Sequence, residues 1–75
     1  MSKFEKLAAD IRRQIQAGQL KPGDRLPSVA KLCEEHGVSY GTVRAAMLIL
    51  KVEKLIVGRP GDALYVREEV DRILA

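Results

Sequence analysis

The joint between two short helical segments constrains the fold of this chain more than any other feature. Only Gly37, Val38 and Ser39 separate a segment that ends near His36 from one that begins near Tyr40. Glycine ends a helix readily because it adopts the left-handed backbone, and serine begins one by accepting a hydrogen bond from the first turn. A tight, glycine-containing joint between two short helices is typical of a helix-turn-helix.

The helix after the joint is predicted to run from about Tyr40 to Val52. Apolar residues recur at helical spacing and form its core stripe, namely Val43, Ala46, Met47 and Leu50. Leu48 and Ile49 add apolar surface beyond what one stripe needs. These two residues could form a weak self-association patch, or they could be buried as additional core residues.

The opposite side of this helix is polar at its start. At roughly 100° per residue, Tyr40, Arg44 and Lys51 fall on one side, with Gly41 beside them. This side is either ordinary solvated surface or a surface that lies against a partner.

Two further helices precede the joint. Ser2 and Glu5 form a capping box at the start of the first helix, which is predicted over about residues 3–17 and stopped by Gly18. Its apolar stripe consists of Phe4, Leu7, Ala8, Ile11 and Ile15. Ser28 is the predicted cap of the second helix, which runs to about His36 with Val29, Leu32 and Cys33 toward the core.

Proline and glycine break the chain between these two helices. Pro22 and Gly23 suit the centre of a type II turn, and Pro27 follows shortly after. Any strand between the two breaks is therefore very short and limited to residues 24–26.

Two short β-prone runs follow the third helix. Residues 55–59 and 64–67 flank a Pro-Gly-Asp break and predict a hairpin with an irregular tip. The fold class is mainly α with a small β-hairpin, a winged helix-turn-helix of three helices and a C-terminal wing over residues 1–67. Residues 68–75 are predicted to be the start of a further helix or a linker.

Length and composition exclude several functional classes. A 75-residue chain is one small domain of marginal stability, since a domain of this size buries only about 60% of its unfolded surface. Cys33 is the only cysteine and has no metal-ligand spacing to His36, the only histidine, so we expect no disulfide, no metal and no cofactor. No stretch of apolar residues is long enough for a membrane span, which predicts a cytoplasmic protein without a membrane partner.

The charge of the chain is unevenly distributed. Residues 1–66 carry eleven Lys and Arg against seven Asp and Glu, a balance of +4. The last nine residues carry two against three, a balance of −1. A basic body favours a polyanionic partner such as nucleic acid.

Three stretches together resemble the DNA-binding domain of the GntR family of bacterial transcription regulators. They are "GQLKPGDRLPS", "LCEEHGVSYGTVRAAMLIL" and "LIVGRPGDALYVR", and the resemblance covers about residues 4–67. It implies a winged helix that places its third helix in the major groove, which admits one α-helix. It also implies a homodimer on a palindromic operator, with weak or no dimerisation of the isolated domain.

The resemblance assigns DNA contacts to the start of the third helix. Ser39, Gly41 and Thr42 are small or polar and let the backbone approach, although Ser39 and Thr42 could also serve only as caps. The arginine that follows "TV" contacts DNA in the family, and Arg44 occupies that place. Its guanidinium group can bind a guanine edge or a phosphate with two hydrogen bonds.

The chain also departs from the family pattern. Tyr40 stands where an arginine commonly reads bases, so it could reach only a phosphate or a thymine methyl group. Ala30 replaces another arginine, and Lys31 could compensate by contacting the DNA backbone, beside Ser28.

In the wing, Gly61 matches the glycine that approaches the minor groove, and Arg59 flanks it. Asp62 adds an unfavourable charge at the tip. The wing could instead be a surface hairpin that closes the core through Leu64 and Val66.

The leading hypothesis is sequence-specific binding of double-stranded DNA by a bacterial transcription regulator, most simply a repressor. The alternative is a winged-helix protein–protein interaction module that does not bind DNA, because a fold does not fix a function. We expect no enzymatic activity, since His36 has no nucleophile partner and Glu34 and Glu35 point to different sides of a helix.

Overall fold

The computed structural model describes residues 2–61 and 63–68 and has the predicted winged-helix architecture. Three helices precede a two-stranded antiparallel hairpin, in the order α1 (Lys3–Gln16), α2 (Val29–His36), α3 (Tyr40–Val52), β1 (Ile56–Arg59) and β2 (Ala63–Val66). Within the described residues, none of these helices has the length and apolar character that crossing a membrane requires. The part of residues 68–75 that follows Glu68 lies outside the described residues.

Helix α1 begins with the predicted capping box and ends at Ala17, next to Gly18 with a φ of 80°. The Ser2 hydroxyl and backbone N–H both donate to the Glu5 carboxylate, and these hydrogen bonds lower the pKa of Glu5. Phe4, the first residue of the predicted apolar stripe, is 37% exposed. The buried residues of α1 begin at Leu7, so Phe4 lies in the first turn outside the core.

The segment between α1 and α2 is joined to the hairpin. Pro22 and Gly23 form the predicted type II turn, with the Asp24 N–H donating to the Lys21 carbonyl at 2.9 Å and Gly23 at a φ of 86°. Instead of a strand, a single antiparallel bridge pairs Arg25 with Tyr65 of β2.

Backbone hydrogen bonds on both sides of that bridge complete the join. They run from the N–H of Gly23 to the carbonyl of Val66 at 2.9 Å, from Leu26 to Leu64 at 2.8 Å, and from Val66 to Asp24 at 2.8 Å. The hairpin is therefore fixed to the segment that leads into α2.

The helix-turn-helix forms as its sequence predicts. The Ser28 hydroxyl accepts from the N–H of Lys31 at the start of α2, and Gly37 ends that helix in the left-handed region with a φ of 62°. Ser39 then caps α3 by accepting from the N–H of Thr42 at 3.2 Å. Each helix end at the joint thus has a local capping hydrogen bond.

The core lies between the three helices and the inner face of the hairpin. Its buried residues are Leu7, Ala8, Ile11, Ile15, Leu26, Leu32, Val43, Ala46, Met47, Leu50, Leu55, Ile56 and Val66. Val29 and Cys33 pack against it while partly buried, as does Ile49, whereas Leu48 is 62% exposed. Of the two extra apolar residues on α3, only Ile49 packs against the core.

The strands differ from the predicted runs by one residue. Leu55 precedes β1 because its N–H is bonded to the carbonyl of Leu50 and closes α3, after Lys54 with a φ of 63°. The register pairs Ile56 with Val66 and extends to the pair of Arg59 and Ala63, so β2 begins one residue early.

Candidate nucleic-acid interface

A concave groove of about 630 Å³ lies between the exposed side of α3 and the hairpin. Its apolar floor includes Leu26, Met47 and Leu64. Its lining also contains four basic residues, Arg25, Arg44, Lys51 and Arg59, and no acidic residue from the described part of the chain. The groove is therefore a concentrated positive surface.

None of these four basic side chains forms an ion pair with another described residue. The ion pairs found among residues 2–61 and 63–68 join Arg12 to Glu53 and Arg13 to Asp10, and both involve α1. The groove cations take no part in them. Their charge is available to an anionic partner.

Arg44 lies on the open side of α3 beside Tyr40. Its guanidinium carbon is 5.8 Å from the centre of the Tyr40 ring, and its Nη1 atom donates to the Tyr40 hydroxyl at 3.5 Å. A contact of that length is weak, so the guanidinium group keeps its capacity for stronger hydrogen bonds. Tyr40 is 60% exposed, and both side chains line the groove.

The other predicted contacts on α3 lie at its start, next to the groove rather than in its lining. Ser39 and Thr42 are engaged with each other, since their hydroxyl oxygens are 3.0 Å apart and the Ser39 oxygen accepts the Thr42 N–H. Gly41 has an ordinary helical backbone, and a Cβ atom placed there would meet nothing within 4 Å. The protein itself gives no packing reason for glycine at this position.

The two predicted contacts on α2 separate in the structure. Ser28 lines the groove as well as capping α2. The Lys31 side chain is exposed but does not line the groove.

The hairpin contributes Arg59 and Gly61 to the groove. The guanidinium carbon of Arg59 lies 5.0 Å from the centre of the Tyr65 ring, across the hairpin. Gly61 has a φ of 89°, a backbone conformation that favours glycine. Asp62, predicted to oppose an anion at the tip, lies outside the described residues.

Arg25 and Lys51 line the groove although the sequence did not single them out as contacts. The helical period already places Lys51 on the same side as Arg44, and that signal was sufficient to predict Lys51 as a DNA contact. Arg25 has no such signal, because it reaches the groove only through its bridge to Tyr65.

Comparison with known families and relatives agrees with this geometry. The family described as bacterial regulatory proteins, gntR family, matches residues 3–66. The mannosyl-D-glycerate transport/metabolism system repressor MngR of Escherichia coli is 42% identical over 66 residues. That match covers 88% of this chain but only 28% of MngR.

Solved structures share the fold. A GntR family transcriptional regulator from Listeria monocytogenes superimposes with a TM-score of 0.91 at 26% identity, over 99% of this chain and 65% of that one. The DNA-binding domain of AraR, solved in complex with the operator ORX1, superimposes with a TM-score of 0.85 at 26% identity. That match covers 88% of this chain and 80% of the AraR domain.

Proposed function

The chain belongs to the GntR family of bacterial regulatory proteins, and from that premise we propose that it binds double-stranded DNA at a specific sequence and regulates transcription. The observation that carries the proposal is the groove between α3 and the hairpin. It gathers Arg25, Arg44, Lys51 and Arg59 on one face without a described acidic residue. Cations that form no ion pair with a described residue attract the phosphate backbone of DNA.

In this proposal α3 enters the major groove by its first turns. Gly41 lies in the first turn of α3, and a Cβ atom there would meet no described atom within 4 Å, so the packing of the described residues does not require glycine. A smooth surface at Gly41 lets the backbone of α3 approach the DNA closely. Ser39 and Thr42 meet phosphate oxygens at the same end of the helix.

Arg44 is the residue we propose to read a base. Its guanidinium group stands on the open side of α3 and matches the two acceptors of a guanine edge. Tyr40, one turn before it, supplies a hydroxyl group for a phosphate or a ring face for a thymine methyl group.

The surrounding elements position the domain on the duplex. Ser28 and Lys31 contact the backbone from α2, and Arg59 and Gly61 bring the wing to the minor groove. These contacts fix orientation, whereas Arg44 supplies discrimination between sequences.

The whole protein's role is part of the same proposal. MngR is named as a repressor, and repression from a palindromic operator bound by a homodimer is the role we propose here. Dimerisation of this domain alone is weak, the protein acts in the cytoplasm, and its function is regulatory rather than catalytic.

Selection from a random duplex library tests the proposal. The purified chain is mixed with the library at low and moderate salt, and the bound pool is sequenced. Enrichment of a short motif, with twofold symmetry if a dimer binds, is the expected result. Retention without enrichment would leave only non-specific binding, and no retention at low salt would favour the protein–protein module instead.

A further inference from the structure

The groove between α3 and the hairpin has a definite place in a DNA complex. This inference rests on the proposed function, in which α3 occupies the major groove and the hairpin meets the neighbouring minor groove. One sugar–phosphate strand always separates a major groove from the adjacent minor groove. That strand must therefore cross the protein surface between α3 and the hairpin.

Lys51 occupies this crossing point. It projects from the last turns of α3, and its Nζ atom lies 3.7 Å from the position that a Cβ atom would take on Gly58 of β1. Its Cε atom lies 3.9 Å from the same point. The ammonium group thus reaches across from the helix to the backbone of β1 at Gly58.

The charge of Lys51 has no counterpart inside the described protein. None of the ion pairs among the described residues involves it, and the groove around it contains no described acidic side chain. An ammonium group is a compact charge with three donors, which suits a phosphate oxygen and carries no base specificity.

We propose that Lys51 binds a backbone phosphate of the DNA strand that crosses the groove. It is a contact distinct from the base-reading contact of Arg44, one that adds affinity for every duplex sequence alike.

The test compares Lys51→Gln with wild type in fluorescence anisotropy titrations. The probes are a duplex of mixed sequence of about 20 base pairs and the duplex enriched by selection, each titrated across a salt series. Lys54→Gln is the matched control, because it removes the same charge three positions along the chain and outside the groove.

The loss of one phosphate contact reduces the slope of log K against log salt by about 0.9. We therefore expect Lys51→Gln to bind both duplexes about fivefold to tenfold more weakly at about 0.1 M salt, with the slope reduced by about one. Lys51→Arg should retain most of the affinity, and Lys54→Gln should match wild type within about twofold.

Equal losses for Lys51→Gln and Lys54→Gln would overturn the proposal, because a non-specific charge effect would then explain both. A loss confined to the enriched duplex would also overturn it, since it would make Lys51 a base contact. If wild type binds neither duplex at low salt, the proposed function is wrong. If wild type binds DNA and Lys51→Gln binds it equally well, only the proposal for Lys51 is wrong.

Discussion

Arg44 leans back over Tyr40, the residue one helical turn before it, with 5.8 Å between its guanidinium carbon and the centre of the ring. An aromatic face attracts a cation and limits the rotamers of a long side chain, which lowers the entropy lost on binding. Tyrosine at this position therefore has a physical role even though it cannot form the two hydrogen bonds to guanine that an arginine would.

Substitution of Arg44 should reduce the preference for the selected DNA sequence more than the affinity for DNA of mixed sequence. Arg44→Ala is expected to weaken binding to the selected duplex by about 1–3 kcal/mol, because a bidentate contact to a base edge is lost. Arg44→Lys should retain affinity for mixed-sequence DNA and lose the preference for the selected sequence, since an ammonium group lacks the planar fork. Parallel titrations on both duplexes measure this, and an unchanged preference in Arg44→Lys would contradict the proposed role.

Two substitutions of Ser39 can distinguish its role as a helix cap from its proposed contact with DNA. Ser39→Ala should lower the free energy of unfolding by about 1 kcal/mol, because the N–H of Thr42 loses its acceptor. Ser39→Asp keeps an acceptor at the cap and should preserve stability, while its charge should repel phosphate and weaken DNA binding about tenfold or more.

Urea unfolding and DNA titration of both variants give the comparison. Ser39→Ala should lose stability and, with its hydroxyl group, part of its DNA affinity, whereas Ser39→Asp should lose DNA affinity alone. If Ser39→Asp bound DNA as well as wild type, Ser39 would be only a cap.

Lys54 is the one residue other than glycine with a positive φ among residues 2–61 and 63–68. A left-handed backbone costs a residue with a Cβ atom about 1–2 kcal/mol, partly offset by the greater entropy that glycine loses on folding. Lys54→Gly should therefore raise the free energy of unfolding by about 0.5–1 kcal/mol.

Lys54→Ala is the control for this prediction, because it removes the same charged side chain but keeps the Cβ atom. It should give no comparable gain in urea unfolding. An equal gain in both variants would show that the charge of Lys54, rather than its backbone, limits stability.

Local patterns predicted most of the helical part of this fold. The stripe of α3 is buried as its period requires, and the caps Ser2, Ser28 and Ser39 act at the predicted helix starts. These features depend on residues close together in sequence. They can therefore be predicted without knowledge of how the helices pack together.

Features that depend on contacts between distant elements could not be predicted from the sequence. Ile49 and Leu48 are adjacent on α3, and only the arrangement of the neighbouring elements decides that one packs on the core and the other stays exposed. Part of the candidate interface follows the same rule. The helical period groups Tyr40, Arg44 and Lys51, but only the folded hairpin brings Arg59 and Arg25 to them.

The join between the hairpin and the segment before α2 governs how this domain opens. The amide hydrogens of Gly23, Leu26 and Val66 are bonded across that join, and Leu26 and Val66 also lie in the core. The hairpin cannot swing away without exposing both residues to water. Hydrogen exchange should therefore release these three amides together with those of α3, in one cooperative event, so the wing behaves as part of the body and not as a separate finger.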